Sequence, residues 1–312
     1  MSSESTSNLA APSYDQSCDE TTTPQEFRRQ VRQLLGHDRC DSAQLRTARP
    51  PAWNLDVLQR TGSTNTDLMD RIRHGQAGPY TALIALDQAE GRGRLARRWE
   101  APPGTALFVS MAVPVIAQTR WWGIMPLAAG VAVADVLGQC LAVGGDSPQP
   151  QTRQSSLAQP GDQVSPQVRL KWPNDVLVDE RKVCGILVEV ARSVAVIGVG
   201  VNVSQRADEL VFAQATSLAA CGACTTRQIV AAAVMDRIAA LWSTLNDEAG
   251  RAAVMARYRR SCVTVGKAVR VWTSEQEFVD GVAVGVDDTG ELQVEVAGQR
   301  RSFSSGDVFH LR

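Results

Sequence analysis

The chain has 312 residues, more than one small core requires, so one large domain with a lesser appendage is expected. Hydrophobic residues at 44% and charged residues at 21% lie near globular averages, which excludes a collagen-like or wholly disordered chain. With 32 basic against 33 acidic side chains the net charge is -1, so no overall field attracts nucleic acid or an anionic membrane, and any anion binding must be local.

Residues 1–23 are rich in Ser, Thr and Asp and read as a solvated tail. They hold no basic residue and no apolar run of the kind a secretory leader needs, so a cytoplasmic location is expected. Thr23-Pro24 then starts a helix with Phe27, Val31, Leu34 and Leu35 at helical spacing and Gly36 as its stop. This N-terminal extension, 24–52, is too short for a winged helix-turn-helix module of roughly 60 residues. No DNA-reading domain is expected at this end.

An extended run at 53–59 leads to the turn Thr61-Gly62-Ser63 and a helix from Thr66 to Arg73. Strands follow at 81–87 and 106–113, separated by a segment dense in Arg and Gly. The longest uncharged apolar stretch, 121–134, contains Pro126 and runs into Asp135, too short for a bilayer span. Leu127, Val131, Ala134, Leu137 and Leu141 share a helical face, so this run is a core helix. Residues 144–167 carry Pro and Gln with almost no large apolar side chain and read as an exposed insertion. Strands at 168–172, 175–178, 185–190 and 194–201 predict a sheet with helices on one side.

A helical stretch at roughly 227–260 gives way to short strands: Val263 and Val265, Val269 and Val271, 278–286 and 292–296. Asp287-Asp288-Thr289-Gly290 is the hairpin turn between the last two. Residues 261–312 thus predict a small SH3-like barrel, and 53–260 a larger α+β domain. Seven scattered cysteines, an odd number, fit a reducing compartment better than a disulfide framework.

Chemistry concentrates in three places. Gly91-Arg92-Gly93-Arg94-Leu95-Ala96-Arg97-Arg98-Trp99 sets four guanidiniums in seven residues on a thin backbone, a loop able to wrap a phosphate or carboxylate. As a dinucleotide fingerprint it fails, since Ala96 stands where the third glycine belongs. Lys171-Trp172-Pro173-Asn174-Asp175 places an ammonium and a carboxylate about a bend, and Lys182 enters the next strand before Gly185-Ile186-Leu187. Of 32 cationic side chains only Lys171, Lys182 and Lys267 are lysines, so a compact ammonium at two neighbouring points stands out. Thr61-Gly62-Ser63-Thr64-Asn65 offers three polar side chains before a helix; Ser63 or Thr64 suffices as a cap, which leaves others for a polar ligand. Gln88 has the same double reading. Cys221-Gly222-Ala223-Cys224 stands without further ligands, and His37, His74 and His310 are too scattered for a metal motif.

Taken together and in this order, Gly-Ser-Thr-Asn at 62–65, Gly-Arg-Gly-Arg at 91–94, Lys-Trp-Pro-Asn-Asp at 171–175, Lys182 with Gly185-Ile186-Leu187, and Gly200-Val201-Asn202 resemble the biotin-protein ligase family over residues 53–312. The resemblance implies a class II synthetase-like mixed sheet with helices, followed by an SH3-like barrel. It implies that ATP and biotin are joined to biotinyl-adenylate with Mg2+ assisting, and that biotin then passes to a lysine of the biotin carboxyl carrier protein of acetyl-CoA carboxylase. Carried over residue by residue, Ser63, Thr64, Asn65, Gln88, Gly91, Arg92, Gly93, Arg94, Lys182 and Gly185 would bind biotin. Arg92, Arg94, Arg97, Trp99, Lys171, Asn174 and Asn202 would bind the nucleotide, and Lys182, Arg94 and Asp175 would act in catalysis.

Two departures from the family pattern are Ala96, where glycine is common, and the insertion at 144–167. The repressor domain of the family's bifunctional members is not expected here. Lipoate-protein ligases and octanoyl transferases share the superfamily, and the polar trio 63–65 favours a ureido-bearing ligand over their acyl chains. A non-catalytic nucleic-acid-binding protein is the rival of a different class, and the net charge opposes it.

Overall fold

The structure is a computed structural model that describes residues 22–37, 52–94, 97–143, 166–274 and 276–311. The tail before residue 22, most of the 144–167 insertion and Ala96 lie outside the described residues. The large sheet has seven strands: β1 (Asn54–Leu58), β2 (Thr81–Ala85), β3 (Ala106–Pro114), β4 (Val168–Lys171), β5 (Asp175–Val178), β6 (Arg181–Ala191) and β7 (Val194–Asn202). Their spatial order is β1-β2-β3-β7-β6-β5-β4. Only β1 and β2 pair in parallel, and the other neighbours are antiparallel, so the sheet is mixed as expected.

Among the described residues five α-helices accompany it: α1 (Pro24–His37), α2 (Thr64–Arg73), α3 (Ile124–Val143), α4 (Arg227–Trp242) and α5 (Glu248–Ser261). They do not all lie on one side. Along β2, Ala82 and Ile84 join the main core with α1, α3 and α4 residues, whereas Leu83 joins a separate cluster with Leu68, Met69 and Ile72 of α2. Adjacent residues of a strand face opposite ways, so α2 covers the other face. The apolar pattern foretold a buried face but could not show that a short helix takes the opposite one.

The first helix begins at Pro24 and continues through Gly36 to His37. It buries Phe27, Val31 and Leu35 in the main core, and the Arg227 guanidinium of α4 stands 5.5 Å from the Phe27 ring. The second helix starts at Thr64, two residues earlier than expected. By length and composition Ile124–Ala142 could cross a membrane, yet 72% of that window is buried inside the protein, as a core helix requires. Its single acid, Asp135, receives Arg237 of α4 at 2.6 Å and also Arg257 of α5, which removes the cost of a carboxylate beside the core. The expected helical run 227–260 is two helices, and Asp247 caps the second by accepting from Gly250 N at 3.2 Å.

The C-terminal sheet is antiparallel in the order β11-β10-β9-β8-β12, with β8 (Ala268–Trp272), β9 (Phe278–Val286), β10 (Leu292–Val296), β11 (Gln299–Phe303) and β12 (Asp307–His310). Val263 and Val265, expected as a strand, instead form a turn: Val263 N donates to Leu170 O at 2.8 Å, and Gly266 takes φ 84°. Strands β11 and β12 had no counterpart in the sequence reading. The small sheet is fastened to the large one through Trp172, whose Nε1 donates to Gly290 O at 3.0 Å and whose backbone N donates to Thr264 Oγ1 at 3.1 Å.

Two expectations follow. Phe27→Ala empties a fully buried site between α1 and α4 and should cost about 3 kcal/mol in urea unfolding; a loss below about 1 kcal/mol contradicts the packing role given to α1. Burial, aided by Lys171 and Lys267, pushes the His310 imidazole from its ordinary 6.5 down to about 4. A depressed folded-state value means that the unfolded chain binds the proton first, so stability should fall as pH drops from about 6.5 towards 4. In His310→Gln that slope should flatten, as read from unfolding midpoints across the window, and an unaltered slope refutes the assignment.

Candidate active site

Strand alternation builds the floor of the site. On the α2 side of β3, β6 and β7 three glycines and a serine stand among larger side chains where register aligns them. Asp175 pairs with Gly185, Gly185 with Gly200, and Gly200 with Phe108, one row across four strands. The adjacent row is Leu187, Gly198 and Ser110. Missing side chains at the glycines leave depth above the sheet, and the Trp99 ring uses it. A Cβ on Gly185 would come within 2.6 Å of that ring, and one on Gly200 within 2.9 Å, so neither position admits alanine without moving the indole.

Trp99 ends the arginine loop, which is a short hairpin: Trp99 N donates to Gly91 O at 2.8 Å and Gly93 N to Arg97 O at 2.7 Å. The hairpin folds over a cavity of about 650 Å3. Ser63, Thr64, Asn65, Gln88, Arg92, Gly93, Arg94, Arg97, Trp99, Lys171, Asn174, Asp175, Lys182, Gly185 and Asn202 all line it. Of the residues assigned in the sequence to biotin, nucleotide or catalysis, Gly91 alone does not; it borders the adjoining groove beneath the same loop.

One wall is a set of cations with their counter-ions. Lys182 Nζ stands 2.7 Å from Asp175 Oδ1 and 5.3 Å from the centre of the Trp99 ring. The backbone of Lys182 is clamped as well, donating to Gln214 O at 2.7 Å and accepting from Thr216 N at 2.8 Å. Burial lowers the pKa of Lys171, Asp175 opposes that shift, and its ammonium lies 5.9 Å from the Phe309 ring. Arg97 pairs with Asp307 at 2.6 Å and also lies over Phe309, 5.3 Å from the ring centre. Burial likewise lowers the pKa of Arg94, with Asp307 and Asp175 partly offsetting it. Among the described residues Arg94 closes no ion pair, so a desolvated guanidinium faces a cavity suited to an anion.

The opposite end is a hydrogen-bond network of neutral side chains backed by the Glu189 carboxylate. Gln88 Oε1 accepts from Thr64 N at 2.8 Å and from Thr64 Oγ1 at 3.1 Å, and Ser110 Oγ donates to Thr64 Oγ1 at 2.8 Å. Asn65 Nδ2 donates to Glu189 Oε2 at 2.6 Å. Ser63 occupies the N-cap of α2 but makes no side-chain cap bond, so capping does not account for it. Asn202, although on the cavity wall, spends its amide on Thr216 O and Gln205 Nε2, both at 2.9 Å, and so holds the neighbouring loop. Asn174 Nδ2 donates to Ile186 O at 2.8 Å.

Several lining residues escaped the sequence reading. Ser110 is a lone hydroxyl in an apolar strand, and strand parity could have found it. Asp307 and Phe309 close the cavity from the C-terminal sheet, and nothing local in the chain points to them. The loop bearing Leu210, Val211 and Phe212 also borders the cavity, with Val211 and Phe212 exposed. Cys221 is partly buried beside Thr216 and Cys224 is exposed; among the described residues no group of three or more His, Cys, Asp or Glu could hold a metal.

Comparison with known proteins identifies the family. Residues 57–204 match the biotin/lipoate A/B protein ligase family, and residues 264–311 match the biotin protein ligase C terminal domain. A biotin--[acetyl-CoA-carboxylase] ligase of Mycobacterium tuberculosis is 37% identical over 263 residues, covering 83% of this chain and 89% of that protein. The bifunctional ligase/repressor BirA of Escherichia coli is 28% identical over 294 residues, 88% of this chain and 80% of that one. The solved biotin protein ligase from Aquifex aeolicus in complex with biotin and ATP shares the fold, with TM-score 0.64, 24% identity and coverage of 83% of this chain and 99% of that chain. With a mixed sheet, a barrel-capped cavity and a relative of this similarity, the chain belongs to the biotin/lipoate A/B protein ligase family.

Proposed function

We infer that the protein is an ATP-dependent biotin-protein ligase acting on the carboxyl carrier protein of acetyl-CoA carboxylase. The observation that carries this reading is the meeting, in one cavity, of a hydrogen-bonding end of neutral side chains, Ser63, Thr64, Asn65 and Gln88, and a cationic end, Arg94, Arg97, Lys171 and Lys182. Biotin has the same polarity: a neutral ureido head, an apolar ring and tail, and a carboxylate. The C-terminal match to a biotin protein ligase domain supports biotin over lipoate as the acid. In this reading 53–260 form the catalytic unit, 261–312 its C-terminal domain and 24–52 an N-terminal extension.

In the first step a carboxylate oxygen of biotin attacks the α-phosphorus of ATP. The α–β phosphoanhydride bond breaks, and pyrophosphate leaves with the electron pair. Two anions must approach, and Arg92, Arg94 and Lys182 supply the positive charge that makes the approach and the transition state favourable. Asp175, 2.7 Å from Lys182, holds that ammonium in place. Ser63, Thr64, Asn65 and Gln88 take the ureido head, with Gly91, Gly93 and Gly185 giving clearance, while Arg97, Trp99, Lys171, Asn174 and Asn202 border the nucleotide. Asp175 and Asp307 line the cavity singly, and among the described residues no group of three or more His, Cys, Asp or Glu forms a cage; Mg2+ would therefore be held chiefly by ATP's phosphates and would neutralise their charge.

In the second step the carrier's lysine amine attacks the anhydride carbonyl, the amide forms, the amine loses a proton and AMP departs. The arginine hairpin and Trp99 keep water from the anhydride until then.

The test is to incubate the purified protein with biotin, Mg2+ and ATP labelled in its α-phosphate, then add a carrier domain. Biotinyl-AMP, pyrophosphate and a biotinylated carrier are expected, and absence of all three ends the proposal. Lys182→Met should slow adenylate formation about 100-fold, the scale for losing one transition-state charge contact. Arg94→Gly should let the adenylate escape and label unrelated proteins; a variant that remains selective contradicts its role.

A further inference from the structure

We propose that Glu189 is a positioning residue that fixes which end of the Asn65 amide is offered to the ligand; the proposal rests on the biotin reading above. Glu189 sits on β6 at the same parity as Gly185 and Leu187, so its side chain rises on the ligand face. Its Oε2 lies 2.6 Å from Asn65 Nδ2. A carboxylate only accepts hydrogen bonds, so it pins the amide nitrogen and forces Oδ1 the other way. There the sheet makes room: a Cβ on Gly198 would stand 2.7 Å from Asn65 Oδ1.

Hydrogen-bond accounting then leaves an acceptor short of a donor. Thr64 Oγ1 gives its proton to Gln88 Oε1. Ser110 has one proton, yet its Oγ lies 2.8 Å from Thr64 Oγ1 and 3.1 Å from Asn65 Oδ1. One hydrogen cannot fill both bonds, so the floor of the cavity holds unmet acceptor capacity between Thr64 and Asn65. A cyclic urea carries two N–H donors and meets that need. If Asn65 were turned over, the same place would present an amide N–H₂ and repel them. Glu189 also stands beside Arg92, whose Nη2 lies 3.3 Å from Oε1, but that guanidinium is half-exposed, so water screens the pair and it contributes little.

Calorimetric titrations of the full chain with biotin alone and with ATP alone separate the outcomes. Wild-type protein that binds no biotin defeats the functional reading itself, whatever the variants do. Given wild-type binding, Glu189→Ala should weaken biotin about tenfold, the scale of one misoriented hydrogen bond, with ATP affinity held within about twofold. Glu189→Gln can still turn an oxygen to Asn65 and should stay within about threefold of wild type. The double variant Asn65→Ala with Glu189→Ala should bind biotin no more weakly than Asn65→Ala alone, because the two act as one unit. Additive losses, equal losses of biotin and ATP affinity, wild-type affinity in Glu189→Ala, or a Glu189→Gln loss as large as that of Glu189→Ala each overturn the proposal.

Discussion

Electrostatic repulsion between a carboxylate and a phosphate is the constraint on which the site depends. To join them, the protein gathers guanidinium and ammonium groups in a partly dry cavity, where burial already lowers the pKa of Arg94 and Lys171. Unpaired, such a cluster would be costly, so two acids share it: Asp175 with Lys182 and Asp307 with Arg97. In the proposed reaction the ligand's own anions take over these cations. The acid that restrains the loop's Arg97 comes from the C-terminal sheet, which gives that small unit a direct share in the cavity.

Topology makes this charge cluster usable. Antiparallel register across β5, β6, β7 and β3 puts Asp175, Gly185, Gly200 and Phe108 in one row. Two glycines in that row let an indole lie against backbone, and the indole carries the end of the arginine loop with it. Its Nε1 is buried and has no hydrogen-bond partner among the described residues. The opposite face of the same sheet is filled by α1, α3 and α4, so the main core backs the floor of the site.

The sequence disclosed the site better than the scaffold. Residues 62–65, 91–99, 171–175 and 182–187 carry their chemistry in short clusters, and each cluster reached the cavity. What stayed hidden depended on distance or parity. Asp307 and Phe309 lie more than two hundred residues after the arginine loop and inside a strand too short to register. Glu189 is the single acid in an apolar strand, and only the alternation from Gly185 reveals that it shares the ligand face. The turn at 263–266 was read as strand because its valines alternate, yet a bond to Leu170 and a left-handed Gly266 decided it. Placement of α2 on the far side of the sheet likewise came from tertiary packing, which overrides any one-dimensional pattern.

The decisive measurement is amide hydrogen exchange through residues 91–99 in free protein and with biotin and ATP bound. If anions draw the guanidiniums inward and settle the hairpin over the cavity, exchange there should slow markedly when both ligands are present. Unchanged exchange in this segment, with both ligands demonstrably bound, contradicts the role given to the arginine loop.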